Sequence, residues 1–275
     1  MNLGHGFPFP QTVSPVYVEE HYDGEKPLLD ILMVTYCSEA FERAALDSIR
    51  AKTDVPYRLT VIDNNGDNRG LTQIWNEFAR RSQADYLCFM NPDVVCGAGW
   101  SSRLLKAFEL PGVVVACPSM PYRGNGKGDP CSRLQALDAP DVFDQNGCII
   151  SSRLDTLADS LPPIVLDDPY CYGYCYCVSR AWMAGQGYFD EAFVYYAQET
   201  EFNYRTVLSG RRVVCVKNAL VYHIGQGSSG GAKTPELLSA NQQAHKMLKD
   251  KHPSWSVVLG WYLGGRNQTP GISFG

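Results

Sequence analysis

Short apolar runs alternate with amphipathic helical segments through the first half of the chain, and this alternation constrains the fold more than any other feature. Each run is nearly continuous in apolar residues, as expected for a strand that is covered on both faces. Alternating strands and helices predict an α/β fold, in which a mostly parallel central sheet carries helices on both faces. The runs are LLDILMV at 28–34, LTVI at 59–62, YLCFM at 86–90 and VVVAC at 113–117.

The segments between these runs repeat their apolar residues with helical spacing. Ser38 is the expected N-cap of a first helix over SEAFERAALDSIRA. The most regular helical face belongs to the second helix and consists of Leu71, Ile74, Trp75, Phe78 and Ala79. A third helix is marked by Trp100, Leu104, Leu105 and Phe108. Further strands are predicted at 170–179, 212–216 and 219–223, and a helix before Gly210.

Composition shifts divide the chain into three parts. Residues 1–27 are rich in proline and show little periodicity, so we predict an N-terminal arm. Residues 28–235 carry the strand and helix pattern of one domain, within which 121–165 is rich in Gly, Pro, Asp and Ser and is predicted to be a long functional loop region. Residues 236–275 are predicted to form a C-terminal helix, stopped before Pro253, and a tail.

Charge and composition exclude several classes of protein. The net charge of −5 and the pI of about 5.5 give no general affinity for nucleic acid or for an anionic membrane. No apolar run approaches the roughly 20 residues of a membrane span, and the N-terminus lacks the pattern of a signal peptide. The ten cysteines include no CxxC pair, so buried thiols in a reducing cytoplasm are favoured over a disulfide scaffold.

Polar residues follow three of the predicted strands, where ligands bind in sheets of this kind. They are Thr35-Tyr36, Asp63-Asn64-Asn65 and Asn91-Pro92-Asp93. Asp93 and His223 each end an apparent strand, and a carboxylate with an imidazole can hold a divalent cation that neutralises a departing diphosphate. The alternatives are a turn residue for Asp93, a structural role for His223 and an Asx turn at Asp63.

Motifs that the chain lacks also narrow its function. There is no GxxxxGK[ST] loop and no GxGxxG after the first strand, which disfavours a P-loop NTPase and a dinucleotide oxidoreductase.

Four stretches, taken in order, resemble glycosyltransferase family 2. They are ILMVTYCSEAF, VIDNNGDNRGLTQIWNEFA, DYLCFMNPDVV and GYFDEAFVYYAQETEFNYRTVLSGRRVVCVKNALVYHIGQGS, and the resemblance spans residues 29–230. It implies the GT-A fold, with a Rossmann-like sheet. It further implies a metal-dependent, inverting transfer of a hexosyl or rhamnosyl group from a nucleotide-diphosphate sugar to an acceptor hydroxyl, with 121–165 on the acceptor side.

The resemblance also implies the residues of the site. The residues that it implies for binding the nucleotide and the donor sugar are Thr35, Tyr36, Glu39, Asp63, Asn65, Arg69, Asn76, Asn91 and Asp93. Asn91-Pro92-Asp93 occupies the DxD position, with Asp93 as the metal carboxylate and Asn91 in place of the first acid. His223 matches a histidine that completes the metal site.

The catalytic base lies in a helix that reads Glu-Asp-x-Asp in the family and Gln198-Glu199-Thr200-Glu201 here. Glu199 occupies the base position and is one methylene longer than the usual aspartate, which affects its reach. Glu201 is the alternative base, and both could instead be solvated helix carboxylates. Asp190-Glu191 matches a turn with a mainly structural role.

The cofactor implied is Mn²⁺ or Mg²⁺, and the donor nucleotide is UDP, with dTDP or GDP as alternatives. The acceptor remains open among a glycan, a lipid-linked sugar, a protein and a modified nucleic acid. Two other functions compete: a catalytically weak or inactive binding protein, and a sugar nucleotidyltransferase. The latter needs a glycine-rich, Arg-containing loop after the first strand, where this chain reads TYCSEAFER.

Overall fold

The computed structural model describes residues 16–66, 69–122, 134–225, 235–266 and 272–273. The strands are β1 Val16–His21, β2 Leu29–Thr35, β3 Tyr57–Asp63, β4 Tyr86–Met90, β5 Val94–Cys96, β6 Val113–Tyr122, β7 Ala136–Asp138, β8 Ile164–Asp167, β9 Cys175–Ser179, β10 Arg212–His223 and β11 Ile272–Ser273. The helices are α1 Glu39–Lys52, α2 Leu71–Arg81, α3 Trp100–Lys106, α4 Ser151–Ser160, α5 Arg180–Gln186, α6 Gln198–Leu208, α7 Pro235–Lys251 and α8 Trp255–Arg266.

One mixed sheet organises these elements in the order β1-β3-β2-β4-β9-β6-β10-β8-β11, while β5 pairs with β10 and β7 with β6. Strands β3, β2, β4, β6 and β10 share one direction, which confirms the predicted α/β class. β9 is antiparallel to both of its neighbours, β4 and β6, and interrupts the parallel order. The register pairs Thr35 at the end of β2 with Asp63 at the end of β3, so these two predicted ligand-binding ends are adjacent.

Helices cover both faces of the sheet, as the continuous apolar runs predict. All seven residues of β2 are buried. Ile31 and Met33 pack in one apolar cluster with Ile49 of α1, whereas Leu32 packs in a second cluster with Trp75 of α2. Because successive strand residues point to opposite faces, this division places one core layer on each side of the sheet.

The predicted helical faces are present. Ile74, Trp75, Phe78 and Ala79 of α2 are all buried. Ser38 occupies the N-cap position of α1, but its side chain makes no capping hydrogen bond. The first helix therefore begins where the sequence predicts, without the predicted cap contact.

The structure differs from the sequence-based expectations in four less regular segments. The predicted arm contributes β1, an edge strand antiparallel to β3. The region 121–165 is not one long loop, since it contains β7, α4 and β8. The segment after Pro253 forms α8 rather than a tail, and β10 is one strand with a register irregularity between Val216 and Leu220. Residues 1–15 and 123–133, on which parts of these predictions fall, lie outside the described residues.

Most of the described cysteines are buried thiols, as predicted. Nine are described and all are free, and seven of them are buried within the core. Cys175 and Cys177 belong to the same apolar cluster, which agrees with their predicted common direction on a strand. No helix in the described ranges is both long and apolar enough to cross a membrane.

Candidate functional site

Asp93 and His223 meet at the edge of the sheet where the parallel strands end. Asp93 lies in the turn between β4 and β5, and β5 pairs antiparallel with the end of β10, so the turn is held beside His223. The Oδ1 atom of Asp93 lies 3.2 Å from Nε2 of His223. The Nδ2 atom of Asn91 lies 3.1 Å from the same nitrogen. The Asn91-Pro92-Asp93 turn therefore brings two polar side chains to one imidazole.

Pro92 explains why the apolar strand β4 stops at this turn. The N–H of Asn91 still donates to the carbonyl of Tyr174 on the neighbouring segment at 2.9 Å. Pro92 has no N–H to continue the ladder, and the chain leaves β4 to begin β5. Asp93 is thereby buried at the strand end, where its carbonyl accepts a hydrogen bond from the N–H of Ile224 at 2.9 Å.

The surroundings of His223 fit a divalent cation. Its ring stacks on Tyr174, with centroids 5.2 Å apart and planes 10° apart, which fixes the orientation of the imidazole. Its Nδ1 atom is buried and has no hydrogen-bond partner among the described atoms. Carboxylate oxygen, imidazole nitrogen and amide oxygen are donors that Mn²⁺ or Mg²⁺ accepts. No group of three or more His, Cys, Asp or Glu placed to hold a metal is found among the described residues, so Asp93 and His223 are a pair of candidate ligands and not a complete metal site.

Glu199 lies in the first turn of α6, and one of its carboxylate oxygens has no hydrogen-bond partner among the described residues. The position of a Cβ on Gly173 would be only 3.2 Å from Oε1 of Glu199, so the carboxylate rests directly on the Gly173 backbone. Burial raises the pKa of Glu199, and hydrogen bonds from the N–H groups of Glu199 and Gly173 partly offset this rise. Its Oε2 atom is buried without a partner in the described part of the chain. A buried carboxylate with one unused oxygen can accept a proton from a hydroxyl group.

Glu201 is committed to structural contacts instead. Its side chain is 1% exposed, and both of its oxygens accept hydrogen bonds from Nε of Arg205 at 2.9 Å. Nε2 of His252, just after α7, lies 3.0 Å from Oε1 of Glu201. These contacts tie α6 to the C-terminal segment and argue against Glu201 as the base. They also exclude the alternative that Glu201 is a solvated carboxylate.

The strand ends of β2 and β3 form the predicted nucleotide side of the site. Asp63 accepts hydrogen bonds from the N–H and the side-chain amide of Asn65 at 2.8 and 2.7 Å, which is the Asx turn that the sequence left open. Oδ1 of Asn65 in turn accepts from the N–H of Cys37 at 2.8 Å. Thr35 is buried, whereas Tyr36 and Glu39 are exposed. Asp63 can form this turn and still contact a ligand, because its side chain is only half-buried at the strand end beside Thr35.

Two predicted donor-binding residues have protein partners. Nη1 of Arg69 donates to Glu77 at 2.9 Å, although its Nε atom is buried without a described partner. Asn76 is buried in α2, where its amide donates to the Phe189 carbonyl at 2.8 Å and to Glu191 at 2.9 Å. Its oxygen accepts from the N–H of Phe189 at 3.0 Å. The polar atoms of Asn76 are therefore taken up by contacts within the protein, which favours a structural role, and its contact with the donor diphosphate stays a prediction.

The turn that follows Phe189 has the structural role predicted for it. Asp190 forms an ion pair with Lys251 of α7. The carbonyl of Val194 accepts a hydrogen bond from the N–H of Thr72 at 3.2 Å, so this loop covers the beginning of α2. The loop then reaches α6 through Ala197, a non-glycine residue with a φ of +66°. Contacts with α2 and α7 thus fix the position from which α6 and Glu199 begin.

The segment Tyr172-Gly173-Tyr174 was missed by sequence reasoning as part of the site. It contacts Glu199 through Gly173 and His223 through Tyr174, and it joins the two halves of the site. Its aromatic composition indicated only a strand. A glycine between two tyrosines directly before a buried strand is the feature that could have drawn attention to it.

Comparison with known proteins finds a match to one protein family. Residues 57–136 match the model of glycosyl transferase family 2. The predicted resemblance to this family is confirmed. The family 2 match covers the Asp63 and Asn91-Pro92-Asp93 segments but does not extend to Glu199 or His223. No curated protein sequence gives a significant match.

One solved glycosyltransferase structure superposes well enough to show that the chain shares its fold, the GT-A fold. GalNAc-T7, solved with UDP, GalNAc and Mn²⁺, superposes with a TM-score of 0.54 at 11% identity, over 83% of this chain and 48% of that one. This chain therefore spans about half the length of that protein. TarS 1–349 of S. aureus in complex with UDP superposes with a TM-score of 0.44 at 16% identity, over 70% of this chain and 59% of that one.

Proposed function

We propose that this GT-A protein is a metal-dependent, inverting glycosyltransferase that moves a sugar from a nucleotide-diphosphate sugar to an acceptor hydroxyl. The approach of Asp93 to His223, 3.2 Å apart at the carboxyl edge of the sheet, is the observation that carries the proposal. Oε2 of Glu199, which has no partner in the part of the chain that the structure describes, supports the proposal. The segment Gly173-Tyr174 joins this candidate base to the Asp93 and His223 pair, and together they would complete a transfer site.

The donor occupies the edge of the sheet from β3 to β10 in this proposal. Thr35, Tyr36 and Asp63 hold the nucleoside at the ends of β2 and β3. Asp93 and His223 would hold Mn²⁺ or Mg²⁺, which supplies Lewis-acid stabilisation of the departing diphosphate. Tyr174 keeps the His223 ring in place, and Asn91 keeps a polar atom beside its Nε2.

Glu199 acts as the general base. Its Oε1 atom is fixed against the backbone of Gly173, and its Oε2 atom takes the proton of the acceptor hydroxyl. The acceptor oxygen forms a bond to the anomeric carbon from one face, while the bond from that carbon to the diphosphate oxygen breaks on the other, which inverts the configuration. The raised pKa of Glu199 suits it to this role, since a base is most effective when its pKa approaches the working pH.

UDP is the nucleotide that we propose for the donor. GalNAc-T7, which has the same fold, was solved with UDP and Mn²⁺, and this supports UDP ahead of dTDP or GDP.

Titration calorimetry with UDP, dTDP and GDP, each with and without Mn²⁺, tests the first part of the proposal. We expect UDP to bind more tightly with Mn²⁺ than without it. An assay of sugar hydrolysis or transfer from UDP-sugars, in which the released UDP is measured, tests the second part. Binding without any turnover would favour a non-catalytic sugar-nucleotide binding protein, and failure of every nucleotide to bind would reject the proposal.

A further inference from the structure

We propose that Gln135 is a positioning residue that holds the two halves of the transfer site in their relative position. It acts on the general base Glu199 and on the imidazole of His223 through the segment Tyr172-Gly173-Tyr174. This inference rests on the proposed glycosyltransferase function, and it concerns the residue that keeps the base and the metal pair aligned.

The segment 172–174 contacts both halves of the site. The N–H of Gly173 donates a hydrogen bond to the carboxylate of Glu199, and a Cβ on Gly173 would lie only 3.2 Å from Oε1 of Glu199. One residue later, the ring of Tyr174 stacks on the imidazole of His223, with centroids 5.2 Å apart. Consecutive Cα atoms are about 3.8 Å apart, so a shift of this segment changes both contacts together.

Gln135 holds this segment at the backbone and at a side chain. It is fully buried directly before β7. Its Oε1 atom accepts a hydrogen bond from the N–H of Tyr172 at 2.9 Å. Its Nε2 atom donates to the hydroxyl of Tyr174 at 3.3 Å, and that hydroxyl donates in turn to the carbonyl of Pro118 at 2.8 Å. A single side chain therefore binds the residues on both sides of Gly173.

Gln135 is itself anchored to the central sheet. Its carbonyl accepts a hydrogen bond from the N–H of Met120 at 2.9 Å, and the next residue, Ala136, pairs with Met120 between β7 and β6. The carbonyls of Leu134 and Ala136 accept hydrogen bonds from Nζ of Lys217 at 2.6 and 3.3 Å. Lys217 belongs to β10, the strand whose end carries the imidazole of the site. Contacts with β6 and β10 thus fix the glutamine that holds the segment.

An amide side chain meets the requirements of this position. The N–H of Tyr172 requires an acceptor, and the hydroxyl of Tyr174, which already donates to Pro118, can accept from a donor. An ionised carboxylate accepts but does not donate, while lysine and arginine donate but do not accept. Loss of a partner at a buried position leaves a polar group unpaired, which is costly and favours movement of the segment.

Gln135→Met tests the proposal on the full chain, because methionine keeps the length of the side chain and removes both hydrogen bonds. The first readout needs no substrate. It consists of the NMR signals of the Glu199 carboxyl carbon and of the His223 ring nitrogens, assigned with Glu199→Gln and His223→Gln. We expect both sets of signals to shift in Gln135→Met.

The second readout is activity with a UDP-sugar and the affinity for UDP. We expect kcat to fall about tenfold in Gln135→Met, because the base is displaced. The gain in UDP affinity that Mn²⁺ provides should also fall about tenfold, because the imidazole loses its support. A purely structural residue would change neither quantity in the folded protein.

Ser101→Ala is the matched control. Ser101 is also fully buried, and its hydroxyl donates to Asp54 at 2.6 Å, between the end of α1 and the start of β3, at the edge opposite the site. It should leave both sets of signals, kcat and the Mn²⁺ effect unchanged. Tyr174→Phe decides the question if Gln135→Met does not fold. It keeps the ring but removes the hydroxyl that Gln135 holds, so it should shift the His223 signals.

Unchanged Glu199 or His223 signals in folded Gln135→Met would overturn the proposal, as would equal shifts in Ser101→Ala or unchanged His223 signals in Tyr174→Phe. A lower melting temperature of Gln135→Met with a normal kcat and a normal Mn²⁺ effect would overturn it too. If the unmodified protein neither binds UDP nor turns over a UDP-sugar, the glycosyltransferase assignment fails instead, and the NMR signals still decide whether Gln135 positions the two groups.

Discussion

The carboxylate of Asp93 lies 3.2 Å from the imidazole of His223, although the two residues come from the turn after β4 and from the end of β10. Pairing of β5 with β10 creates this contact, and the stacking of Tyr174 on His223 maintains it. A carboxylate and an imidazole, two kinds of group that can bind a divalent cation, are thus held together at the edge of the sheet where the parallel strands end.

Asp93→Asn should remove the effect of Mn²⁺ on nucleotide binding. The substitution preserves the shape of the side chain but removes the charge that a hard cation requires. We expect UDP to bind the variant with the same affinity with and without Mn²⁺ in titration calorimetry. Asp85→Asn is the matched control, because Asp85 precedes β4 at the opposite edge and pairs with Lys26 at 2.5 Å. A persistent Mn²⁺ effect in Asp93→Asn would remove Asp93 from the metal site.

Glu199→Gln should lower the transfer rate about 10²- to 10⁴-fold, which is the usual contribution of a general base. Glutamine keeps the contact with Gly173 but cannot take a proton. UDP binding in the presence of Mn²⁺ should be unchanged, and the defect should appear in kcat. Full turnover by this variant would place the base elsewhere.

Glu199 should also make the protein less stable as the pH rises. Burial raises the pKa of Glu199 in the folded state, so the folded state holds this proton more tightly than the unfolded state does. The contribution of the group is most favourable below its unfolded pKa and is lost as the pH rises through the folded pKa. Melting temperatures from pH 4 to pH 8 should therefore fall more for the unmodified protein than for Glu199→Gln. A parallel dependence in both proteins would contradict the assigned pKa shift.

Glu201→Gln should show the opposite pattern to Glu199→Gln. Glu201 is buried and holds Arg205 and His252, so loss of its charge weakens the contacts between α6 and the C-terminal segment. We expect the free energy of unfolding in urea to fall by about 1–3 kcal/mol, with transfer retained in the folded fraction. Loss of transfer without loss of stability would return Glu201 to the list of candidate bases.

Gly173→Ala should reduce transfer about tenfold or more by displacing Glu199. The new Cβ would lie 3.2 Å from Oε1 of Glu199 and 3.5 Å from the Trp75 ring, and small displacements of a catalytic group are costly. Gly185→Ala in α5 is the control, since a Cβ there meets nothing within 4 Å. Equal activity of the two variants would show that the position of Glu199 is not critical.

Sequence patterns predicted the elements whose burial follows a local period. The apolar face of α2 and the continuous run of β2 are read directly, because each repeats over several residues. The pairing of strands that are distant in the sequence produces no such repeat of apolar residues. The antiparallel insertion of β9 and the pairing of β1 with β3 depend on contacts that no local period encodes. α4 escaped notice because only Leu154 and Ala158 of its ten residues are buried.

The sequence predicted those candidate residues that follow strand ends. It could not predict the role of residues whose polar atoms contact partners distant in the sequence. Asp93 and His223 each end a strand, so their convergence was expected. Asn76 and Glu201 carry the residue types of a binding site, but Phe189 and His252, distant in sequence, take up their polar atoms. Position in the chain alone cannot separate Glu201 from Glu199.

A crystal structure with UDP and Mn²⁺, with the cation located by its anomalous scattering, tests the account most directly. We predict one manganese peak within ligand distance of both the Asp93 carboxylate and the His223 imidazole, with the UDP diphosphate on its open side. A manganese ion bound elsewhere, or a nucleotide away from this edge of the sheet, would contradict the account.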